Sequence, residues 1–254
     1  MKVIIVGSGT SQGVPIIGCE CETCLSKNPK DNRLRASAYI EVDDLKILID
    51  TSIDFRQQML RYKINDLDAV LFTHHHVDHI LGMDDLRQIN QRLDKFIDIY
   101  GTNLTMEEIK ITFRYVLNKI LVNYKAVPLV RFHPKTNTKF KIRDTEIIPV
   151  EAMHGLLKIY GYRIKNFAYI TDASKIKDKE LDKLKNLDVL IINALRKRPH
   201  PTHFNLEQAV NISKMLNPKK TFFTHITHDL NHNKINKTLP RNIKLAYDGL
   251  EFKL

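Results

Sequence analysis

The sequence has few cysteines, no long apolar run and no glycine signature for binding nucleotides. Its three cysteines all lie within residues 19–24. They cannot form a disulfide framework, and their closeness indicates a metal site. Because no apolar stretch reaches the roughly 18 residues of a membrane span, we expect no transmembrane helix. Residues 1–6 lead directly into Gly7-Ser8-Gly9 and are typical of a first strand rather than a signal peptide. We therefore expect a cytoplasmic protein in a reducing compartment.

The glycine-rich loop 7–13 lacks both the G-x-G-x-x-G and the Walker spacing, so it gives little support to a dinucleotide-binding or P-loop protein. No internal repeat, composition break or flexible linker interrupts the chain. A chain of 254 residues is long enough to bury a sizeable core. We expect one domain over residues 1–254.

The chain is basic, with a formal charge of +11 and a pI near 9.4. This balance favours an anionic partner, either a phosphate ester or a nucleic acid. The lysines are scattered, however, and no arginine-rich run with interleaved aromatic residues is present. A generally lysine-rich composition explains most of the charge, so charge alone does not establish nucleic-acid binding.

Short strands and helices alternate along the chain. Apolar patterning predicts strands at 2–6, 37–42, 45–50, 68–73, 97–100, 138–142, 145–150, 158–164, 166–171, 188–193, 220–224, 243–246 and 250–253, and helices at 54–62, 80–92, 104–121, 176–186 and 205–216. Short polar turns between paired strands indicate antiparallel hairpins in a mixed sheet. Two sheets packed face to face, with helices outside, fit this pattern as one option among several.

Residues 73–79 contain four histidines and an aspartate, directly after an apolar run that we predict to be a strand. On an extended backbone, His74 and His76 point to the same side. Asp78 and His79 follow in the turn and are placed to serve a second ion. Imidazole and carboxylate suit zinc, manganese or iron. The alternative is a surface histidine cluster, but the position between a strand and a helix favours a metal site.

Three more ligand types lie downstream, each where an apolar strand stops. They are His154, Asp172 and His225. Active sites of open α/β sheets are built at such strand ends. Any one of these residues alone is better explained as a loop residue without function. Together with the 73–79 motif, their order makes a far more specific pattern.

These motifs resemble those of the metallo-β-lactamase-fold hydrolases, in the branch of the phosphoribosyl 1,2-cyclic phosphate phosphodiesterase. The resemblance runs from residues 7–15 to residues 247–251. It implies an α/β fold, the four-layer αββα sandwich of two mixed sheets with helices outside, with the site at one edge between the sheets. Residues 191–196 depart from the pattern of that branch, which leaves the physiological substrate open.

The resemblance also implies two divalent metal ions at the active site: zinc or manganese, with iron as a further option. Its motifs assign His74, His76 and His154 to one ion, Asp78, His79 and His225 to the second, and Asp172 to both as a bridge.

The cysteines have the spacing C-x-C-x-x-C, at Cys19, Cys21 and Cys24, one ligand short of a closed tetrahedral zinc site. In the resembling enzyme a histidine completes this set, which implies His228 here and a structural zinc that stabilises the fold without chemistry. His232 is a weaker alternative as the fourth ligand. Free cysteines in a flexible loop are the other interpretation.

In the mechanism that follows, a metal-bridging hydroxide attacks phosphorus and a general acid protonates the leaving alkoxide. Asp78 and His203 are the candidate catalytic residues. The resemblance favours His203 as the acid over the nearby His200 or a merely solvated histidine. Arg33 and Arg35 are candidates for gripping a phosphate, although a loop arginine is more often just solvated.

We therefore expect a metal-dependent hydrolase, a phosphodiesterase that acts on a small anionic phosphodiester of ribose type, cyclic by resemblance. One alternative is an RNA-processing nuclease of the same superfamily, but the Gly/Pro-rich arm that holds tRNA is missing. Hydrolysis of a thioester, lactone or β-lactam is another, and a non-catalytic binding module a third. We expect neither a membrane nor a nucleic acid as partner. The resemblance implies a homodimer. The role of residues 101–135 stays open.

Overall fold

The computed structural model describes residues 1–254 and has fifteen strands and eight α-helices. The strands are β1 (Lys2–Gly7), β2 (Ser37–Val42), β3 (Leu45–Ile49), β4 (Ala69–Leu71), β5 (Ile97–Gly101), β6 (Val130–Pro134), β7 (Phe140–Ile142), β8 (Thr145–His154), β9 (Leu157–Ile164), β10 (Phe167–Ile170), β11 (Lys175–Ile176), β12 (Val189–Asn193), β13 (Lys220–Thr224), β14 (Ile243–Leu245) and β15 (Leu250–Lys253). The α-helices are α1 (Phe55–Tyr62), α2 (Val77–Ile80), α3 (Leu86–Leu93), α4 (Asn103–Thr112), α5 (Lys119–Asn123), α6 (Asp178–Leu181), α7 (Leu206–Leu216) and α8 (His232–Asn236). None of the helices is both long and apolar enough to span a bilayer.

The strands form two mixed sheets. The first has the order β15-β1-β2-β3-β4-β5-β6, and the second the order β11-β8-β9-β10-β12-β13-β14, with β7 paired to β8. In each sheet, antiparallel hairpins on one side give way to parallel strands on the other: β3 to β6 in the first, and β10, β12, β13 and β14 in the second. The parallel strands bring several carboxyl ends to one edge, where binding sites in such sheets form.

Three hydrophobic cores separate the layers. Alternate residues of β1 face opposite ways: Val3 and Ile5 join the core between the sheets, whereas Ile4 and Val6 join the core under the helices of the first sheet. This is the period of two expected for a strand buried on both faces. A third core lies between the second sheet and its helices. Three cores separate four layers, so the prediction of an αββα sandwich is confirmed.

All thirteen predicted strands are present, but two strands were missed and three helices were predicted too long. The missed strands are β6 and β11. The helix predicted at 104–121 is instead α4, a 3₁₀ turn at Arg114–Leu117 and α5. Asn118 ends the turn and caps α5 by accepting hydrogen bonds from the amides of Ile120 and Leu121. The helices predicted at 80–92 and 176–186 are likewise divided, with a 3₁₀ turn at Leu81–Asp85 before α3 and another at Asp182–Leu184 after α6.

The two sheets are tied together where β4 ends. The Tyr160 amide of β9 donates to the Thr73 carbonyl at 3.0 Å. The Tyr162 hydroxyl donates to the Phe72 carbonyl at 2.7 Å. These bonds fix the start of the 73–79 motif against the second sheet, so side chains from both sheets meet at this edge.

Candidate metal centres

Asp50, directly after β3, holds the 73–79 motif in place. Its Oδ1 accepts from the Thr73 amide, and its Oδ2 accepts from the Thr73 hydroxyl, both at 2.8 Å. The same Oδ2 lies 2.8 Å from His79 Nδ1. Because Asp50 is fully buried and accepts from Nδ1–H, it orients the His79 ring with Nε2 free. Asp50 was not among the predicted site residues, although it stands at a strand end like the predicted ligands.

His74, His76 and His154 converge, with their ligand atoms all within 4.8 Å of one another. The ring centres of His74 and His76 are 4.5 Å apart, and those of His76 and His154 are 5.0 Å apart. His154 Nδ1 donates to the Thr202 carbonyl at 2.7 Å, which turns its Nε2 toward the other two rings. Three histidines from two sheets thus form one half of a centre.

Asp78, His79 and His225 form the second half, and Asp172 touches both halves. His79 Nε2 lies 3.2 Å from Asp78 Oδ2 and 3.3 Å from Asp172 Oδ2. His225 Nε2 lies 3.0 Å from Asp172 Oδ1. Asp172 also groups with His74. The carboxylate of Asp172 therefore lies between the two sets of histidines.

Two of these residues adopt a backbone conformation that is uncommon for anything but glycine. Asp172 has φ 59° and His225 has φ 54°, both in the left-handed region. Each lies just beyond the end of a parallel strand, β10 for Asp172 and β13 for His225. Strained backbone of this kind clusters at functional sites, where the surrounding structure holds it in place.

The charges at the centre are strongly coupled. Burial lowers the pKa of His74 well below its ordinary value, and the neighbouring His79 adds to the effect. Burial also lowers the pKa of His79, but the carboxylates of Asp78, Asp172 and Asp50 outweigh it and raise that pKa well above its usual range. Burial raises the pKa of Asp172, yet His225 and His79 bring it well below normal. The buried carboxylates thus need positive charge beside them.

The donor set fits divalent metal ions. Three imidazole nitrogens, the Nε2 atoms of His74, His79 and His225, are buried and make no hydrogen bond of good geometry, although carboxylate oxygens lie within 3.3 Å of two of them. Buried polar atoms are rarely left unsatisfied, because the loss of hydration costs about 1–3 kcal/mol each. All three belong to the groups that converge here. Imidazole nitrogens with neighbouring carboxylates are ligands for zinc, manganese or iron.

The cysteines form a separate cluster with His228. The Sγ atoms of Cys19, Cys21 and Cys24 lie 3.2, 3.4 and 3.5 Å from His228 Nδ1. Backbone hydrogen bonding from Cys24 lowers the pKa of Cys21 to about 7, whereas burial raises the pKa of Cys24 to about 11. The four atoms have the composition of a closed Cys₃His zinc site.

His232, the weaker alternative as fourth ligand, lies elsewhere. Its Nδ1 is 3.3 Å from Arg33 Nη2, and it is not a member of the cysteine cluster. The structure therefore brings His228 rather than His232 to the thiols.

His203 lies at the centre without belonging to either half. Its Nε2 is 3.0 Å from Asp172 Oδ1, and its ring centre is 4.6 Å from that of His154. Burial lowers the pKa of His203 to about 4, against the opposing effect of Asp172. His200 lies one step further out, with its Nδ1 3.1 Å from His203 Nδ1. Of the two predicted acid candidates, His203 is thus the one in contact with the centre.

The two arginines suggested for phosphate binding have other partners. Arg33 is only 1% exposed, and it donates to Ser8 Oγ at 2.9 Å and to the Ala246 carbonyl at 2.6 Å. A guanidinium enclosed in this way has no face for a substrate, so we no longer assign Arg33 that role. Arg35 is partly exposed but pairs with Asp54 at 3.2 Å, which leaves its role as a prediction. The sequence alone does not show these partners of the two arginines, because the partners lie at distant positions in the chain.

Comparisons with known proteins agree with this geometry. The family described as "Beta-lactamase superfamily domain" matches residues 46–226. The crystal structure of a diphosphatase from the PhnP family superposes with a TM-score of 0.93 at 41% identity, covering 100% of this chain and 97% of that one. An octanoyltransferase from Porphyromonas gingivalis is 39% identical over 255 residues, which is 99% of this chain but 51% of that protein. This chain therefore spans about half the length of that relative. Zn²⁺-bound PqqB from Methylobacterium extorquens shares the fold, with a TM-score of 0.81 at 18% identity over 100% of both chains.

Proposed function

Because this chain belongs to the β-lactamase superfamily, as a metallo-β-lactamase-fold hydrolase of the PhnP branch, we propose that it is a phosphodiesterase with two catalytic metal ions. Its substrate is a small, cyclic phosphodiester of ribose type. The observation that carries the proposal is the pair of ligand groups on either side of Asp172, with three buried imidazole nitrogens aimed inward. The ions are zinc or manganese, with iron as the further option.

The ligands follow from the two groups. His74, His76 and His154 would hold one ion, Asp78, His79 and His225 would hold the other, and Asp172, which lies between the two groups, would serve both. When bound, the two ions supply an activated water as nucleophile and neutralise charge on the phosphoryl oxygens. Asp50 and the Thr202 carbonyl keep the rings of His79 and His154 turned toward the centre.

His203 supplies the proton for the leaving group. Water adds to phosphorus and releases one proton to the solvent, the bond from phosphorus to the sugar oxygen breaks, and that oxygen takes a proton from His203 Nε2 to become an alcohol. His203 regains its proton from the solvent. An alkoxide leaves poorly without such a proton. Acid catalysis requires the protonated ring. The nearby Asp172 raises the pKa of His203 against burial, and a phosphodiester anion bound beside the ring acts in the same direction.

A small substrate agrees with the shape of the chain around the centre. The residues between His154 and Asp172 form a turn and the strands β9 and β10. They leave no projecting arm in that segment to bind a folded RNA. The formal charge of +11 favours an anion. We therefore place nucleic acids behind small phosphodiesters as substrates.

A diphosphate is the second candidate, since the structure that matches at 41% identity is described as a diphosphatase. A phosphate leaving group departs at neutral pH with little need for a general acid, unlike an alkoxide. The name octanoyltransferase does not indicate the activity of this chain, because only about half of that protein matches it.

Further features complete the proposal. A third ion, zinc, is held by Cys19, Cys21, Cys24 and His228 for stability rather than chemistry. The 254 residues act as one hydrolase domain, and two copies assemble as a homodimer.

A substrate panel on metal-loaded protein tests the function. It contains a ribose cyclic phosphate, bis(p-nitrophenyl) phosphate, a diphosphate diester, a precursor tRNA, a thioester, a lactone and a β-lactam. We expect the cyclic phosphate to give the highest kcat/KM. Preference for the diphosphate diester would favour the second candidate, and preference for precursor tRNA or for a non-phosphate ester would overturn the proposal.

A further inference from the structure

The loop that carries His200 and His203 is anchored beside Asp172. At its base, the Leu195 amide donates to the Phe204 carbonyl at 3.0 Å. The Phe204 amide donates to the Ala173 carbonyl at 2.7 Å. Because Ala173 directly follows Asp172, the second bond fixes the loop next to the residue that bridges the two ligand groups.

Thr202 is the residue of this loop that contacts both sides of the centre. Its backbone carbonyl accepts from His154 Nδ1 at 2.7 Å. Its hydroxyl oxygen lies 2.9 Å from His203 Nδ1 and 3.2 Å from His200 Nδ1. One threonine therefore touches a metal-ligand histidine through its backbone and the acid histidine through its side chain.

The direction of these hydrogen bonds follows from the donors available. The Thr202 amide, 3.3 Å from His200 Nδ1, is a donor, so that ring nitrogen accepts and carries no hydrogen. His203 Nδ1, 3.1 Å from the same nitrogen, is then assigned as protonated. Its N–H points at the Thr202 oxygen, and the Thr202 hydroxyl donates onward to His200. With Nδ1–H donating to Thr202, the protonated ring that acts as the acid directs its Nε2–H at Asp172 Oδ1, 3.0 Å away.

We propose that Thr202 is a positioning residue for the reaction. Its hydroxyl holds the His203 ring with Nε2 toward Asp172, beside which the scissile bond would lie. Its carbonyl holds the His154 ring with Nε2 toward His74 and His76. The proposal rests on the proposed function, because it requires His203 to protonate an alkoxide. A role in core packing does not account for Thr202, since its side chain is only half-buried and belongs to none of the three hydrophobic cores.

Two substitutions separate the hydroxyl from the carbonyl. Thr202→Val removes the hydroxyl but keeps the shape and the carbonyl, and Thr202→Ser restores the hydroxyl. Thr227→Val is the matched control, because it removes a hydroxyl that bonds the Leu195 carbonyl at 3.0 Å at the base of the same loop but does not touch His203.

The measurement is kcat on metal-loaded protein with two diesters, a ribose cyclic phosphate that needs an acid and bis(p-nitrophenyl) phosphate that does not. General acids contribute about 10²–10⁴-fold, so we expect Thr202→Val to lose about tenfold or more on the cyclic phosphate. On the p-nitrophenyl ester the loss stays within about threefold, with unchanged metal content. Thr202→Ser recovers most of the loss, and Thr202→Val adds nothing to His203→Ala.

Three results would overturn the proposal: equal losses on both substrates, the same loss in the Ser and Val variants, or no loss on the cyclic phosphate. A wild type that is inactive on both esters would instead overturn the proposed function. In that case the role of Thr202 is tested directly on the hydrogen bonding of the His203 ring. Nitrogen-15 NMR of the zinc-loaded protein should show a hydrogen-bonded Nδ1–H on His203 in wild type and in Thr202→Ser, and the loss of that hydrogen bond in Thr202→Val. An identical His203 spectrum in Thr202→Val would refute the positioning role.

Discussion

His225 and His228 lie on one short segment after β13, yet their rings belong to different clusters. His225 Nε2 is 3.0 Å from Asp172 Oδ1, whereas His228 Nδ1 is 3.2–3.5 Å from the three cysteine sulfurs. Between them, the Ile226 amide donates to the Ser8 carbonyl at 3.0 Å and the Ile226 carbonyl accepts from the Thr10 amide at 3.2 Å. The cysteine cluster thus fastens the far end of the segment that carries a ligand of the catalytic centre.

Loss of a cysteine ligand should therefore show mainly in stability. We expect Cys24→Ser, or Cys21→Ser, to release one zinc per chain and to lower the melting temperature by about 5–10 °C. The turnover of the protein that stays folded should change less, because the thiols are not in the catalytic groups. Metal analysis and a thermal melt measure both effects. A folded Cys24→Ser protein with as much zinc as wild type would refute the Cys₃His assignment.

Asp172→Asn removes the charge of the residue shared by both ligand groups. We expect it to lower the content of catalytic metal and to reduce hydrolysis by about a thousandfold or more, since metal ions contribute several kcal/mol to such reactions. The fold should survive, as judged by circular dichroism. Asp182→Asn, in an exposed pair with Lys185, is the control and should behave as wild type. Full activity in Asp172→Asn would contradict a bridged two-metal centre.

Asp50→Asn tests a residue that binds no metal in this account. The NH₂ group of the new amide would face His79 Nδ1 or the Thr73 hydroxyl. Facing Nδ1, it would favour the tautomer of His79 that is protonated at Nε2, the nitrogen needed for the metal. We expect metal affinity to fall about 10–100-fold, as for other partners of metal-bound histidines, and titration with a chelator reads it out. The matched control is Asp98→Asn, in the Asp98–His133 pair at 2.8 Å on β5 and β6. If both variants bound metal equally well, Asp50 would have no orienting role.

His232 predicts how stability depends on pH. Burial, together with Arg33 and Lys30, lowers the pKa of His232 to about 4 in the folded chain, against about 6.5 when unfolded. Between these values the unfolded chain binds the extra proton, so the stability due to neutral His232 is complete above pH 6.5 and is lost as the pH falls toward 4. At about 1.4 kcal/mol per pH unit, the loss is at most about 3 kcal/mol.

Urea unfolding of wild type and His232→Gln between pH 4 and 7 measures this contribution. The variant should be less stable near pH 7 but should lose less stability on acidification. His133→Gln, at a partly exposed histidine, is the control. Parallel stability curves for wild type and His232→Gln would contradict the assignment.

The parts that the sequence predicted correctly depend on local patterns. Nearly continuous apolar runs predicted strands such as β1 and β2, because both of their faces are buried. The motif at 73–79 is short and directly follows β4, so its position after a strand could be predicted from neighbouring residues alone. The downstream side chains His154, Asp172 and His225 were found by one rule, that ligands follow the ends of apolar strands, and the structure brings all three to one edge.

The parts that were missed depend on contacts between distant segments. Arg33 is enclosed by Ser8, Ala246 and His232, and no local pattern shows that residues so far apart meet. Thr202 contacts His154 only because its loop folds back onto the centre, and no local pattern shows this. The strand β6 has a half-exposed, mixed pattern, so it lacks the apolar run that marks strands such as β1. Residues 101–135, whose role the sequence left open, cover the outer face of the first sheet through Met106, Ile109, Phe113 and Val116 among others.

The most direct test of the central claim is product analysis after incubation of a ribose cyclic phosphate with zinc- or manganese-loaded protein. The account predicts ring opening to a phosphomonoester. It also predicts that His203→Ala loses about 10²-fold or more on this substrate but far less on bis(p-nitrophenyl) phosphate, whose leaving group needs little protonation. Equal losses on both esters would remove His203 as the acid. Faster cleavage of a β-lactam or a thioester than of any phosphodiester would contradict the account itself.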